Sequence, residues 1–292
     1  MTDRTVKAYD GRALLLEEGG DPNGRPVLAH GGTPNSRLLY GRDVAIAERQ
    51  GIRLISYDRP GYGGSDRQEG RSIADCTQDV RAIAEALGVE RLGVIGGSGG
   101  GPHALACAAL LGDLVAAVVV IASPAPWGAD GLDYFAGMGE LNVEDTNLYL
   151  ADRVAARAKA ERDREEMIAA DAEQLLEILR TLLSPVDAAV LTGELAEFLV
   201  QATRSGMADG ADGWWDDNVA MMEDWGFDLG SIAVPVQLRH GREDRFVPLG
   251  HGEWLAARIP GVTAVLSESE GHLSIWEHHL ESMNSWLLAH IG

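Results

Sequence analysis

The sequence predicts an α/β fold, in which a parallel sheet is flanked by helices and interrupted by a helical insertion. Three observations support this fold class. Short apolar runs alternate with helix-forming segments along most of the chain, as in sheets with right-handed crossovers. Residues 115–121 are apolar and largely β-branched, which is typical of a strand buried on both faces. From about Trp127 to Asp228 no strand-like run appears, and the alternation then resumes.

The individual elements follow in chain order. Alternating residues around Asp10 and Gly11 predict a hairpin, and further strands are predicted at residues 26–30, 52–57, 91–95, 115–121, 234–240 and 262–266. Helices are predicted at residues 37–50, to residue 87 after a cap at Ser72 or Asp75, and at residues 101–111, 151–183, 188–206, 250–258 and 273–290. Gly51 and Gly88 end two of them, because glycine takes the backbone conformation that closes a helix. An apolar stripe at helical spacing predicts the 151–183 helix: Met167, Leu175, Ile178, Leu179 and Leu182.

Length and composition limit the number of domains, the classes of partner and the location that we expect. The chain of 292 residues can form one large α/β domain with an insertion, or two small domains. A formal net charge of −21 argues against nucleic acid or an anionic membrane as a partner. The two cysteines, Cys76 and Cys107, suggest neither a disulfide framework nor a metal cluster. The first residues lack an apolar signal region and no run reaches the roughly 18 apolar residues of a membrane span, so we expect a cytoplasmic protein.

The stretch Gly96–Gly100 reads G-x-S-x-G. A predicted buried strand precedes it and a predicted Ala- and Leu-rich helix follows it, which is the context of a nucleophile elbow. Glycines beside Ser98 allow the strand and the helix to cross closely while the serine backbone is strained. The same letters also fit a glycine-rich turn that cradles phosphate. The spacing of the P-loop and its lysine are both missing here, which favours the elbow.

Three other predicted loops carry candidate functional residues at the carboxyl ends of strands, where open α/β sheets bind ligands. Asp244 follows one strand and is the candidate acid, with Glu243 as its neighbouring alternative. His272 follows the last strand and is the candidate base. The order Ser, Asp, His along the chain is that of α/β-hydrolases rather than of chymotrypsin or subtilisin. The loop at residues 30–33 can supply a backbone N–H that joins that of Gly99 in an oxyanion hole.

On these residues the chain resembles an α/β-hydrolase fold serine hydrolase. Five motifs carry the resemblance, in family order and at family spacing: HGGTP (30–34), YDRPGYGGSD (57–66), GGSGGGP (96–102), HGREDRFVP (240–248) and EGHLS (270–274). The resemblance implies an eight-stranded, mostly parallel sheet and a core formed by residues 1–126 and 229–292. It implies a helical cap at residues 127–228, a Ser98–His272–Asp244 triad and no cofactor.

Each residue then has an expected role. Ser98 is the nucleophile, His272 removes and later returns its proton, and Asp244 fixes the imidazole tautomer. The amides of Gly32 and Gly99 are the expected oxyanion donors, although the second glycine of HGGTP can shift the first donor to Thr33. No metal site is expected, because no His/Asp cluster has metal spacing.

The expected activity is hydrolysis of an ester, thioester or lactone of a small apolar substrate through an acyl-enzyme. Three variants of this chemistry stay open: a proline-iminopeptidase-like amidase, a hydrolase of carbon–carbon bonds in a diketone, and a cofactor-free haloperoxidase-like activity. Epoxide hydrolases and haloalkane dehalogenases are set aside because they carry aspartate where this chain has Ser98. A non-catalytic small-molecule receptor on the same fold is the alternative of another class. The oligomeric state cannot be predicted.

The remaining polar residues are expected to be structural or solvated. His30, His103 and His240 are assigned structural roles, and Asp58 is expected to turn the loop at residues 58–64. His251, His278, His279 and His290 are expected on the surface or on a helix face. Asp216, Asp217 and Glu223 are expected to form a solvated acidic patch in the cap.

Overall fold

The computed structural model describes residues 1–291, and its centre is one eight-stranded sheet with the order β1-β2-β4-β3-β5-β6-β7-β8. The strands are β1 (Thr2–Lys7), β2 (Ala13–Gly20), β3 (Arg25–His30), β4 (Ile52–Tyr57), β5 (Leu92–Gly97), β6 (Val115–Ile121), β7 (Val236–Gly241) and β8 (Thr263–Ser267). Strand β2 is antiparallel to β1 and β4, and all other pairs are parallel. The predicted eight-stranded, mostly parallel α/β sheet is confirmed.

Eleven helices lie among the described residues. They are α1 (Gly41–Arg49), α2 (Cys76–Leu87), α3 (Gly101–Leu110), α4 (Glu140–Ala151), α5 (Arg153–Ala169), α6 (Ala172–Ile178), α7 (Pro185–Val190), α8 (Gly193–Gly206), α9 (Asp212–Met222), α10 (Leu249–Ala256) and α11 (Ser274–Ile291). One face of the sheet packs against α2, α3 and α10, through residues such as Val80, Leu105 and Leu255. The other face packs against α1 and α11, through Ile46 and Leu287. Two hydrophobic cores therefore hold the sheet between helices.

Helix α1 begins at Gly41, four residues later than predicted. The amide of Arg37 donates to Asp58 Oδ1 at 2.6 Å, and the amide of Leu39 donates to Glu17 Oε2 at 2.6 Å. These side-chain acceptors satisfy N–H groups that a helix would otherwise leave free in its first turn. The chain therefore stays extended after β3. Further along, α2 follows Asp75, whose carboxylate accepts from the Ser72 amide at 2.6 Å instead of capping α2.

The predicted helix at 151–183 is two helices rather than one. Helix α5 ends at Ala169, Ala170 is extended, and Asp171 starts α6 with a capping box to Gln174. This box is a local start signal that outweighs the continuous apolar stripe. The predicted helix at 188–206 is likewise divided, because α7 ends at Val190 and α8 begins after the extended Thr192.

The helical insertion, residues 122–235, joins β6 to β7 and contains α4 to α9 without a strand among the described residues. Its position at the carboxyl end of β6 matches the break in the predicted strand rhythm. The exact division into a core and a 127–228 cap stays a prediction. None of the described helices combines the length and apolar character needed to cross a membrane.

Candidate active site

Ser98 lies in the turn between β5 and α3 with φ of 52°, a left-handed conformation that non-glycine residues rarely adopt. The glycines after it allow two loops to meet. A Cβ at Gly100 would lie 2.1 Å from the His30 carbonyl oxygen, and one at Gly99 would lie 2.3 Å from Thr33 Oγ1. Both approaches are too close for any side chain. The glycines therefore allow the Ser98 turn to pack closely against the loop that follows β3.

Asp244 and His272 come together as predicted for an acid and its base. His272 Nδ1 lies 2.8 Å from Asp244 Oδ2, which fixes the proton on Nδ1 as the donor. The second carboxylate oxygen accepts from the amides of Phe246 at 2.9 Å and Val247 at 2.8 Å. Glu243 is exposed and takes no part in this contact. Of the two neighbouring acids, Asp244 is the one that orients the imidazole.

The charges of this pair are mutually stabilised. Burial raises the pKa of Asp244, but the charge of His272 and hydrogen bonds from His240 and His272 outweigh it and lower the pKa to about 2. Burial lowers the pKa of His272, whereas the charge and hydrogen bond of Asp244 and the charge of Asp187 bring it above its ordinary value. Asp244 is therefore ionised at neutral pH, and it favours the imidazolium that a base becomes on accepting a proton.

The hydrogen bond that would join His272 to Ser98 is not formed among the described residues. The imidazole makes its side-chain hydrogen bond through Nδ1, which leaves Nε2 free. The base loop, residues 268–273 around the predicted base, nevertheless leads into a helix that packs beside the elbow. A Cβ at Gly97 would lie 3.3 Å from the ring of Trp276, in the first turn of α11. Catalytic hydrogen bonds are often long without substrate, so the role of the complete triad stays a prediction.

The predicted oxyanion donors surround Ser98. A Cβ at Gly32 would lie 3.5 Å from Ser98 Cβ. Arg59 donates to the carbonyl oxygens of Gly31 at 2.7 Å and Gly32 at 2.8 Å. In a trans peptide the N–H points opposite to the C=O, so Arg59 turns the Gly32 and Thr33 amides away from itself. Neither amide has an acceptor within residues 1–291. Gly32, Thr33 and Gly99 all stay candidates.

Asp217 is not part of a solvated patch, and that expectation is wrong. Its side chain is wholly buried and lies 2.5 Å from Arg59 Nη2 and 2.6 Å from Arg71 Nη2. It also accepts from Thr33 Oγ1 at 3.0 Å and Tyr62 Oη at 2.9 Å. Burial raises the pKa of Asp217, but the two guanidinium charges hold it far below its usual range. Arg59 thus links helix α9 of the insertion to residues 30–33, the predicted oxyanion loop. Asp216 is also largely buried and pairs with Arg67, whereas Glu223 is exposed as expected.

A second buried carboxylate of the insertion, Asp187, also escaped prediction. It accepts hydrogen bonds from the backbone that carries His272. The sequence signal around it is Ser184 and Pro185, which predicts the start of a short helix. Nothing in that pattern indicates a contact with a residue 85 positions later in the chain.

The other histidines divide into buried and exposed groups. His103 Nδ1 lies 2.9 Å from the Gly99 carbonyl, and His240 Nε2 lies 2.7 Å from that of Val247, in agreement with structural roles. Burial lowers the pKa of His103 to about 3. His251 was expected on the surface or on a helix face but is buried, and it bonds the Ala125 amide and the Tyr134 carbonyl. The remaining expectations hold: His278 and His290 are exposed, His279 is partly exposed on α11, and Asp58 binds Arg37 and the Gly64 amide.

One buried group has the residue types of a metal site. The ligand atoms of His30, Cys76 and Cys107 lie within 4.8 Å of one another, and Cys107 Sγ is 3.6 Å from His30 Nε2. The spacing of these residues along the chain does not indicate this group. Burial raises the pKa of Cys76 well above its usual value, so the thiol is favoured over the thiolate that metals bind. These side chains pack as core residues beneath the Ser98 turn.

Known proteins can now be compared with this geometry. A hydrolase of 2-hydroxy-6-oxononadienedioate and 2-hydroxy-6-oxononatrienedioate from Klebsiella pneumoniae is 26% identical, covering 98% of this chain and 94% of its own length. A 2-hydroxy-6-oxo-6-phenylhexa-2,4-dienoate hydrolase from Comamonas testosteroni is 28% identical, covering 93% and 85%. An esterase structure from Exiguobacterium antarcticum has the same fold, with a TM-score of 0.74, 20% identity and 99% coverage of both chains.

The chain also matches a protein family over most of its length. The alpha/beta hydrolase fold family matches residues 26–279, a range that takes in β3 to β8 and the insertion between β6 and β7. Ser98, Asp244 and His272 all lie within it, each at the carboxyl end of a strand. This chain therefore belongs to the alpha/beta hydrolase fold family.

Proposed function

We propose that this protein is a serine hydrolase that cleaves the ester, thioester or lactone bond of a small apolar substrate through an acyl-enzyme on Ser98. One observation carries the proposal. The strained Ser98 turn and the hydrogen-bonded Asp244–His272 pair follow different strands of one parallel sheet, at the same edge. A serine hydroxyl needs such a base within reach, because it is a poor nucleophile at neutral pH.

The reaction follows from this arrangement. His272 Nε2 takes the Ser98 proton as Oγ attacks the substrate carbonyl carbon. The C=O electron pair moves to oxygen, and the amides of Gly99 and of Gly32 or Thr33 stabilise that oxyanion. The imidazolium, stabilised by Asp244, returns the proton to the leaving alkoxide or thiolate. Water, deprotonated by His272, then attacks the acyl-enzyme and releases the acid and free Ser98. No cofactor enters this sequence.

A carbon–carbon bond hydrolase is the second candidate, because the two relatives compared above are named for hydrolysis of oxo-dienoates or dioates. Such substrates carry carboxylates, which need cations in the site. The loops after β3, β4 and β7 contain six arginines, of which five pair with carboxylates among the described residues: Arg37, Arg59, Arg67, Arg71 and Arg242, with Arg245 the exception. This scarcity of free positive charge favours an uncharged ester.

We also propose a cytoplasmic location and a small-molecule substrate, with neither nucleic acid nor a membrane as a partner. The buried, unpaired thiols of Cys76 and Cys107 suit a compartment that keeps cysteines reduced. The net charge of −21 disfavours nucleic acid and anionic membranes.

A substrate panel tests the proposed function. The purified protein is assayed with p-nitrophenyl acetate and butyrate, with a 2-hydroxy-6-oxo-dienoate and with a prolyl anilide. We expect the esters to turn over fastest, and Ser98→Ala to abolish that turnover while Ser282→Ala, at an exposed serine of α11, leaves it unchanged. Faster cleavage of the dienoate would select the second candidate, and faster cleavage of the anilide would select an amidase. Ester turnover that survives in Ser98→Ala would refute the nucleophile, and binding without any turnover would indicate a receptor.

A further inference from the structure

Helix α7 of the insertion carries a carboxylate that binds the backbone of the base loop. Asp187 Oδ1 accepts from the amides of Leu273 at 2.8 Å and Ser274 at 3.0 Å, and Oδ2 accepts from the amide of His272 at 3.0 Å. A fourth donor is Ser184 Oγ, 2.9 Å from Oδ2. Four donors occupy about the full accepting capacity of an ionised carboxylate.

Two of these amides lie just before helix α11, and the third belongs to its first residue, Ser274. The first N–H groups of a helix have no acceptor within the helix, and the helix dipole favours negative charge there. Asp187 therefore meets two needs of the base loop, an acceptor and a counter-charge, although it comes from a helix 85 positions earlier in the chain. Hydrogen bonds from backbone amides to an ionised acceptor are among the strong ones. The side chain is fully buried, so water does not compete for them.

The Asp187 carboxylate also restricts which residue can precede His272. A Cβ at Gly271 would lie 2.3 Å from Asp187 Oδ2, so no other residue fits while the carboxylate occupies this place. The Gly271 amide turns the other way and donates to Ser274 Oγ at 2.8 Å. Every backbone N–H from Gly271 to Ser274 thus has a defined acceptor, which stabilises the loop in this conformation.

We propose that Asp187 is a positioning residue for catalysis, which holds the His272 backbone so that Nε2 faces Ser98 while Nδ1 faces Asp244. This inference depends on the proposed role of His272 as base. Asp187 acts through the imidazole and does not touch the substrate. Because α7 belongs to the insertion, displacement of that helix removes the acceptor and releases the base. The insertion then controls catalytic alignment.

The charges that face His272 are few, so the effect of Asp187 can be isolated. Asp244 contacts the ring from the loop after β7, His240 lies 3.5 Å from that same carboxylate, and Phe246 stacks on the ring at 4.5 Å without a charge. Asp187 faces the backbone side. The charge of Asp187 is one of the influences that raise the pKa of His272. A neutral replacement therefore lowers this pKa, which loss of helix packing alone does not do.

The experiment compares Asp187→Asn with wild type and with Asp171→Asn, a control at the exposed cap of α6 in the same insertion. Asparagine keeps the shape but turns an NH₂ group toward amides that are themselves donors. We expect kcat for p-nitrophenyl acetate to fall by about 10- to 100-fold with KM little changed, because small misplacements of catalytic groups have effects of this size. NMR titration of the His272 imidazole provides a readout independent of activity, and its midpoint should move to lower pH.

Ser184→Ala extends the test if Asp187→Asn does not fold. This variant removes one donor from Asp187 Oδ2 and leaves the three amide contacts, so a smaller fall in kcat in the same direction is expected. A wild-type kcat and imidazole midpoint in Asp187→Asn, or in Ser184→Ala when only that variant folds, would overturn the inference. In that case wild type would still hydrolyse the ester through Ser98. If wild type does not hydrolyse the ester, or hydrolyses it equally well without Ser98, the proposed function fails and this inference fails with it.

Discussion

The Ser98 turn and the loop that carries His272 lie at the same edge of the sheet, but they are held in different ways. The Ser98 turn is specified by its own neighbours, because the glycines at positions 96–101 allow close approaches that side chains would block. The base loop depends on distant residues. Asp244 orients the imidazole of His272 from 28 positions away, and Asp187 binds its backbone from 85. Local sequence therefore encodes the Ser98 turn, whereas tertiary contacts fix the position of His272.

This difference separates two kinds of variant. A substitution beside Ser98 acts by collision, since a Cβ at Gly100 would meet a carbonyl oxygen at 2.1 Å. A substitution that affects His272 acts by removing a hydrogen-bond partner and leaves the local chain intact. The oxyanion loop resembles the base loop in this respect, because Asp217 of the insertion fixes it through Arg59. The predictions below test the distinction, from the largest expected effect to the smallest.

Loss of the acid should have the largest effect. Asp244→Asn removes the charge that fixes the His272 tautomer, and we expect kcat for ester hydrolysis to fall by about 10⁴-fold, the effect of the corresponding change in a serine protease triad. Glu243→Gln, at the exposed neighbouring acid, is the matched control and should retain wild-type activity. Steady-state kinetics on both variants checks this. Equal loss in the two would show that the acid assignment is wrong.

Loss of Asp217 should lower the stability of the fold. Asp217→Ala leaves Arg59 and Arg71 buried without a counter-charge, so we expect the free energy of unfolding to fall by about 3–5 kcal/mol. Asp216→Ala, the next residue, breaks a pair whose arginine is one-third exposed and should cost about 1 kcal/mol. Urea unfolding followed by circular dichroism measures both. Similar losses would mean that the insertion is not fastened to the oxyanion loop through Asp217.

Acid should weaken the contact of Asp217 with Arg59 and Arg71 in wild type. The folded-state pKa of Asp217 is lowered relative to the unfolded chain. Its stabilising contribution is therefore complete above the unfolded value of about 3.9 and is lost as the pH falls toward the folded value. Asp217→Ala should flatten the dependence of unfolding free energy on pH below pH 4.

The dependence of kcat/KM on pH is the smallest of these effects. His272 must be neutral to act as base, and its pKa lies above its ordinary value. We therefore expect kcat/KM to rise with pH through one midpoint above about 6.5. Asp244, with a pKa of about 2, adds no second midpoint between pH 4 and 9. Stopped assays across that range check this, and a flat profile would contradict a histidine base.

The division between local and distant encoding also explains what could be predicted from the sequence. The eight strands and the Ser98 turn follow from apolar periodicity and glycine placement, which are local signals. Asp244 and His272 were found because each directly follows a strand. Asp187 and Asp217 were missed because a buried carboxylate in a charged helical segment looks like a solvated one until its partners are known. Such partners are set by the packing of the insertion on the core.

The central claim, that Ser98 is a nucleophile activated by His272, is tested most directly by labelling with a fluorophosphonate and measuring intact mass. We expect wild type to gain one phosphonyl group, located on Ser98 by peptide mapping. Ser98→Ala should gain none, and His272→Ala should label at least 10³-fold more slowly, an order of magnitude typical for loss of one triad member. Labelling of Ser98→Ala, or equal labelling rates with and without His272, would contradict the account.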